Sequence, residues 1–145
     1  MIERRTAMDI ADTTRPAVTP RRRAVVADDD AELRRMVAHG LGRDGFEVEE
    51  VGDGSALLAL VERAARGEGA TPDVIVADVQ MPGCTGLRVL ASVRRLGLAV
   101  PMVLITAFGD DASHSLARKL GAAAMFDKPF DLAEVRRFVA HLVGA

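Results

Sequence analysis

A single cysteine, Cys84, occurs in the 145 residues, so no internal disulfide can form and neither a CxxC redox pair nor Cys-rich zinc spacing is available. That usage fits a reducing cytoplasm. Long apolar runs are also missing: nothing reaches signal-peptide or membrane-spanning length, and Arg4, Arg5, Asp9, Asp12 and Arg15 interrupt the first twenty residues. A cytosolic chain with no membrane partner is the expectation. Excess charge of one sign is lacking as well, and a formal net charge of −2 supplies no basic field to hold a polyanion, so nucleic acid is not expected as a partner. Internal repeats and low-complexity tracts are absent. What is present is 49% hydrophobic and 28% charged, too apolar for a disordered chain, and the length suits one domain with its own core.

Residues 1–20 lack periodicity and contain Pro16 and Pro20, which predicts a flexible lead-in to a domain over 21–145. The triplet Arg21, Arg22, Arg23 reads as solvated charge flanking a buried strand rather than as a docking patch. Beyond it, short apolar runs alternate five times with segments of helical period, the pattern of a parallel sheet covered on both faces. Strands are expected over 24–27, 46–51, 74–77, 102–105 and 123–126. The second alternates apolar and polar residues and should lie at an edge. Leu33, Met36, Val37 and Leu41, then Ala56, Leu57, Leu60, Val61 and Ala64, fall on helical faces. Three more helices are expected over 87–96, 111–120 and 132–142. Asp131 is a candidate N-cap for the last, and Gly97 and Gly121 stand where C-caps belong. Right-handed crossovers restrict a five-fold βα repeat to few arrangements, and the flavodoxin-like doubly wound order 2-1-3-4-5 is the expected α/β fold.

In that topology strands 1 and 3 are neighbours, and the crevice outside their C-terminal ends is where open α/β sheets bind ligands. Strand 1 runs into Asp28, Asp29 and Asp30, and strand 3 into Asp78. Converging carboxylates repel one another unless protons or a cation neutralise them, and hard oxygen ligands select Mg²⁺. For Asp30 a helix N-cap role competes with a place in the cluster. Strand 4 ends at Thr106-Ala107 and strand 5 at Asp127-Lys128-Pro129, adding a hydroxyl and an ammonium to the same edge. Those groups suit a carboxylate that accepts a phosphoryl group. Asp78 is the candidate acceptor. Mg²⁺ would be held by Asp29 and Asp78, by Asp28 directly or through water, and by the Gln80 backbone carbonyl. Lys128 and Thr106 would meet phosphoryl oxygens, and the small Ala107 would leave room.

These residues resemble the response-regulator receiver family through Val25-Val26-Ala27-Asp28-Asp29-Asp30, Asp78-Val79-Gln80-Met81-Pro82-Gly83, Ile105-Thr106-Ala107 and Lys128-Pro129-Phe130. The likeness covers about 23–143. It implies a phosphoryl donor that is a phosphohistidine on a histidine kinase or a histidine phosphotransfer protein, and a cis peptide before Pro129. It further implies a switch in which the Thr moves toward the phosphoryl and an aromatic residue three places before the Lys turns inward, reshaping the helix 4, strand 5 and helix 5 surface. Here that place is Met125, which offers no ring to lock, while Phe126 should face the other side of the sheet.

His39, His114 and His141 lie in helical segments and read as solvent-facing or core-edge residues. Cys84 reads as a small neutral loop residue. With Gly144 and Ala145 alone beyond the last helix, a stand-alone regulator is expected, signalling to a downstream protein through a face that exposes Arg118, Lys119, Arg136 and Arg137. A monomer or weak homodimer would suffice, and a fragment of a longer regulator is the alternative. A pseudo-receiver that binds partners without phosphorylation is a further alternative. A phosphatase of the haloacid-dehalogenase type would need an acid where Gln80 stands, and a flavodoxin-like cofactor binder would need a Gly-rich or hydroxyl-rich loop where Asp28 to Asp30 stand.

Overall fold

Four short, mainly apolar runs and one Glu-rich segment become the strands of one parallel sheet in a computed structural model that describes residues 21–144. The chain alternates β1 (Arg23–Ala27), α1 (Ala31–Arg43), β2 (Glu47–Val51), α2 (Gly54–Ala65), β3 (Val74–Asp78), α3 (Gly86–Arg95), β4 (Met102–Thr106), α4 (Asp111–Lys119), β5 (Ala124–Asp127) and α5 (Leu132–Leu142). The strand order is β2-β1-β3-β4-β5, the expected flavodoxin-like one. The expected lead-in over 1–20 lies outside the described residues.

Side-chain alternation along the central strands builds two cores, one on each face of the sheet. Val25, Ile75 and Leu104 point to one face, where Leu57 of α2 and Val89 and Leu90 of α3 cover them. Val26, Val76 and Val103 point to the other and meet Val37 and Leu41 of α1 with Val135 and Val139 of α5. All five residues of β3 and all five of β4 are buried, which explains their continuous apolar spelling. β2 is an edge strand and buries none of its residues, as its alternation requires.

Helix starts follow local polar chemistry. Asp30, Asp53, Thr85, Asp110 and Asp131 each cap a helix by accepting main-chain N–H bonds in its first turn. Asp30 takes the Glu32 and Leu33 amides, which settles its competing assignments in favour of the cap. Gly97 and Gly121 adopt φ values of 78° and 92° directly after the Leu96 and Leu120 C-caps, a left-handed geometry that a side chain would resist.

Two helical faces differ from expectation. Met36 is 44% exposed, and Ala38, not Met36, faces the sheet; Ala56 of α2 is exposed too. The buried stripe of α1 runs through Val37, Ala38, Gly40 and Leu41, because this helix packs against α5 as well as the sheet. Arg136 is a second correction. Rather than standing free on the face of α4 and α5, it forms two hydrogen bonds to Asp44, the C-cap of α1, at 2.9 and 2.7 Å. Arg118, Lys119 and Arg137 are exposed as expected.

Candidate functional site

The C-terminal ends of β1, β3, β4 and β5 lie along one rim, and main-chain bonds tie the segments after β1, β3 and β5 to a neighbouring strand. Asp28 donates its N–H to the Val51 carbonyl at 3.2 Å, Val79 to Ile105 at 2.8 Å, and Lys128 to Thr106 at 2.8 Å. The side chains predicted far apart in sequence therefore arrive together. Carboxylate oxygens of Asp28, Asp29 and Asp78 all lie within 4.8 Å of one another. Lys128 Nζ is 2.9 Å from Asp78 Oδ2 and 3.9 Å from Asp28 Oδ2. Asp78 and Thr106 end their strands rather than following them, so the rigid ladder itself carries both groups.

Burial sets the electrostatics. Asp28 and Asp78 are nearly covered, Asp29 faces solvent, and Thr106 is buried. Loss of water pushes the Asp28 carboxyl up to about 6, and the like charge of Asp78 adds to the rise. The Asp30 amide at 2.9 Å and Lys128 oppose it. Burial also works against the Lys128 ammonium, yet its hydrogen bond to Asp78 and the charge of Asp28 outweigh that cost and raise it. Asp78 is oriented at both oxygens: Oδ1 accepts the Gln80 N–H at 3.0 Å, while Oδ2 takes Lys128. Thr106 Oγ1 accepts the Phe108 N–H at 3.2 Å, an arrangement that leaves its own proton free to be donated outward. Exposed Ala107 follows it without bulk.

Ionised, three carboxylates beside one ammonium leave two uncompensated negative charges among hard oxygen donors. That donor set fits a small divalent cation such as Mg²⁺. The loop that carries Gln80 is pinned from below. The Gly54 N–H donates to Pro82 at 3.0 Å, and a Cβ at Gly54 would sit 1.6 Å from the Cys84 carbonyl oxygen. Half-buried Cys84 thus packs its backbone on the start of α2.

Met125 and Phe126 diverge as strand alternation predicts. Met125 packs against the core under α2 and α3, whereas Phe126 joins the opposite core and stacks edge-on against Phe138 at 5.8 Å. The Lys128–Pro129 peptide is cis. His39 and His141 are exposed, and His114 lies at the core edge with Nε2 2.9 Å from Asp127 Oδ1. Neither that contact nor the role of Gly54 was read from the sequence. Arg34 was missed as well: its Nη1 donates to the Asp28 carbonyl at 2.9 Å, and its Nε to Glu50 at 3.0 Å. The available signal was an arginine one turn after the Asp30 cap, able to reach back over the turn it follows.

Comparison with known proteins places this geometry among relatives. A family model described as the response regulator receiver domain matches residues 24–140. The alkaline phosphatase synthesis transcriptional regulatory protein SphR of Synechococcus elongatus is 31% identical over 123 residues, which is 83% of this chain and 48% of that protein. The DNA-binding response regulator MtrA of Mycobacterium bovis is 35% identical over 112 residues, 77% of this chain and 46% of that protein. The chain thus spans about half the length of these curated relatives. A solved chemotaxis protein of Vibrio cholerae superposes with a TM-score of 0.73 at 27% identity, covering 84% of this chain and 98% of that one.

Proposed function

The chain belongs to the response regulator receiver domain family of two-component systems, and from that membership we propose that it accepts a phosphoryl group on Asp78 from a partner phosphohistidine. The observation that carries the reading is the contact of Lys128 Nζ with Asp78 Oδ2 at 2.9 Å inside a cluster of three carboxylates.

An Asp78 carboxylate oxygen would attack the phosphorus in line; the O–P bond forms as the N–P bond of the phosphohistidine breaks, and the imidazole leaves with a proton. Asp28, Asp29, Asp78 and the Gln80 carbonyl would hold Mg²⁺, which when bound supplies positive charge against the phosphoryl oxygens. Lys128, already at hydrogen-bond distance, neutralises another oxygen. Thr106 turns its hydroxyl proton toward a third, and Ala107 leaves the approach open. Met125 follows Thr106 by its flexibility and repacks the end of β5 without an aromatic lock. Water later hydrolyses the acyl phosphate, so the chain is a signalling protein that turns its own signal off.

Signal output runs through the face of α4, β5 and α5, where Leu116 is 47% exposed beside Arg118 and Lys119. The downstream partner is a protein. DNA binding stands in the name of MtrA, of whose length this chain matches 46%, and is a property of that relative. No helix among the described residues is long and apolar enough to cross a membrane; a cytoplasmic setting with a histidine kinase or phosphotransfer protein as donor is part of the proposal.

Intact-mass measurement after incubation with acetyl phosphate and Mg²⁺ tests the acceptor. Wild type gains one phosphoryl group, and Asp78→Asn gains none; an adduct that persists in the variant places the acceptor elsewhere.

A further inference from the structure

The turn between β1 and α1 brings Asp28 and Asp29 to the cluster, and one side chain outside the cluster holds that turn by its backbone. Arg34 donates from Nη1 to the Asp28 carbonyl at 2.9 Å and from Nε to Glu50 Oε1 at 3.0 Å, with its side chain only 18% exposed. The carbonyl it grips belongs to the peptide that joins Asp28 to Asp29. Rotation of that plane would swing the Asp29 carboxylate away from Asp28 and Asp78. Other bonds of the turn act on flanking atoms: the Asp28 N–H meets Val51, and Asp28 Oδ1 accepts the Asp30 N–H. Glu50 lies on β2 and pairs in register with Val26 of β1, so the anchor of the guanidinium is itself fixed by the sheet. A planar fork held at two points resists rotation better than a single donor would.

We propose that Arg34 is a positioning residue for the cation site: anchored on Glu50, it holds the Asp28–Asp29 peptide so that Asp29 stays within reach of Asp28 and Asp78. This rests on the reading of the acid cluster as a divalent-cation site. The charge of Arg34 works in the opposite direction, because a cation near the cluster disfavours a second one. Position and charge therefore predict opposite signs when Arg34 is neutralised.

The experiment is an Mg²⁺ titration followed by backbone amide shifts in wild type, Arg34→Met, Arg34→Lys and Glu50→Gln, with thermal stability measured in parallel. Met retains most of the side-chain bulk and removes both donors. Mg²⁺ affinity is expected to fall about tenfold in Arg34→Met, the scale seen when partners that orient metal ligands are lost. Glu50→Gln should fall in the same direction by a smaller factor, and Arg34→Lys should recover part of the loss. With no metal present, the order parameter of the Asp29 amide in Arg34→Met should drop from about 0.85 toward 0.6. An Mg²⁺ response that Arg34→Met keeps undiminished or tightened, with only its melting temperature lowered, overturns the positioning role alone. Absence of any Mg²⁺ response in wild type overturns the cation reading itself. Should Arg34→Met fail to fold, Glu50→Gln carries the same test, and unchanged affinity there overturns the role.

Discussion

Asp28 illustrates what burial beside another acid costs a carboxyl. Its folded form titrates at about 6 against an ordinary 3.8, chiefly because burial strips its water. Between those values the folded chain holds a proton that the unfolded chain has lost, so stability falls as pH rises through the window. The contribution is fully present below the ordinary carboxylate range and gone above about 6. Urea unfolding of wild type and Asp28→Asn in Mg²⁺-free buffer should therefore show the variant gaining on wild type from pH 4 to pH 7. A difference that stays constant across that range would contradict the assigned cause. Adding Mg²⁺ at pH 7 should narrow the gap, because ionised Asp28 then has a cation to face.

Among the elements, β4 and α1 show what burial does and does not determine. Leu104 is fully buried midway along β4, and Leu104→Ala should cost roughly 2 to 5 kcal/mol. Met36→Ala, on the exposed flank of α1, should stay within about 0.5 kcal/mol. Equal losses from the two would mean that Met36 packs against the sheet as its periodicity first suggested. The same helix is tied to α5 through Asp44 and Arg136. The guanidinium hydrogen bond holds the Asp44 carboxyl below its ordinary value, so this tie is intact above that value and is lost as pH falls through the depressed one. Asp44→Asn should lower the melting temperature near pH 7 and match wild type in strong acid. A gap that widens with acidity would reverse the assigned sign.

At the scale of the whole molecule, a cation that binds the folded rim and not the unfolded chain must raise global stability. At a free concentration of about 100 times its dissociation constant, Mg²⁺ should add roughly 2.7 kcal/mol, and Asp29→Asn should reduce the gain. Calorimetry with and without Mg²⁺ checks this; no shift in wild type would remove the cation from the reading. Beryllofluoride added with Mg²⁺ should shift amide resonances of α4, β5 and α5 beyond those at the rim, whereas changes limited to rim residues would separate acceptance from output.

Hydrophobic period determined the α/β class and the alternation that parts Met125 from Phe126, because each depends on local side-chain spacing; the strand order came from crossover handedness, which leaves few arrangements open. Acids, a hydroxyl and an ammonium at strand ends were legible for the same reason: parallel strands deliver their C-terminal residues to one rim whatever the loops do. Tertiary structure decided the rest. Burial of Asp28, the turn of Met36 away from the sheet and the pairing of Arg136 with Asp44 all depend on which helix lies beside which. The grip of Arg34 on the turn and the fit of Gly54 against Cys84 depend on loops meeting across the fold. No short window of sequence encodes contacts between distant segments, since they exist only once the sheet has set the distances.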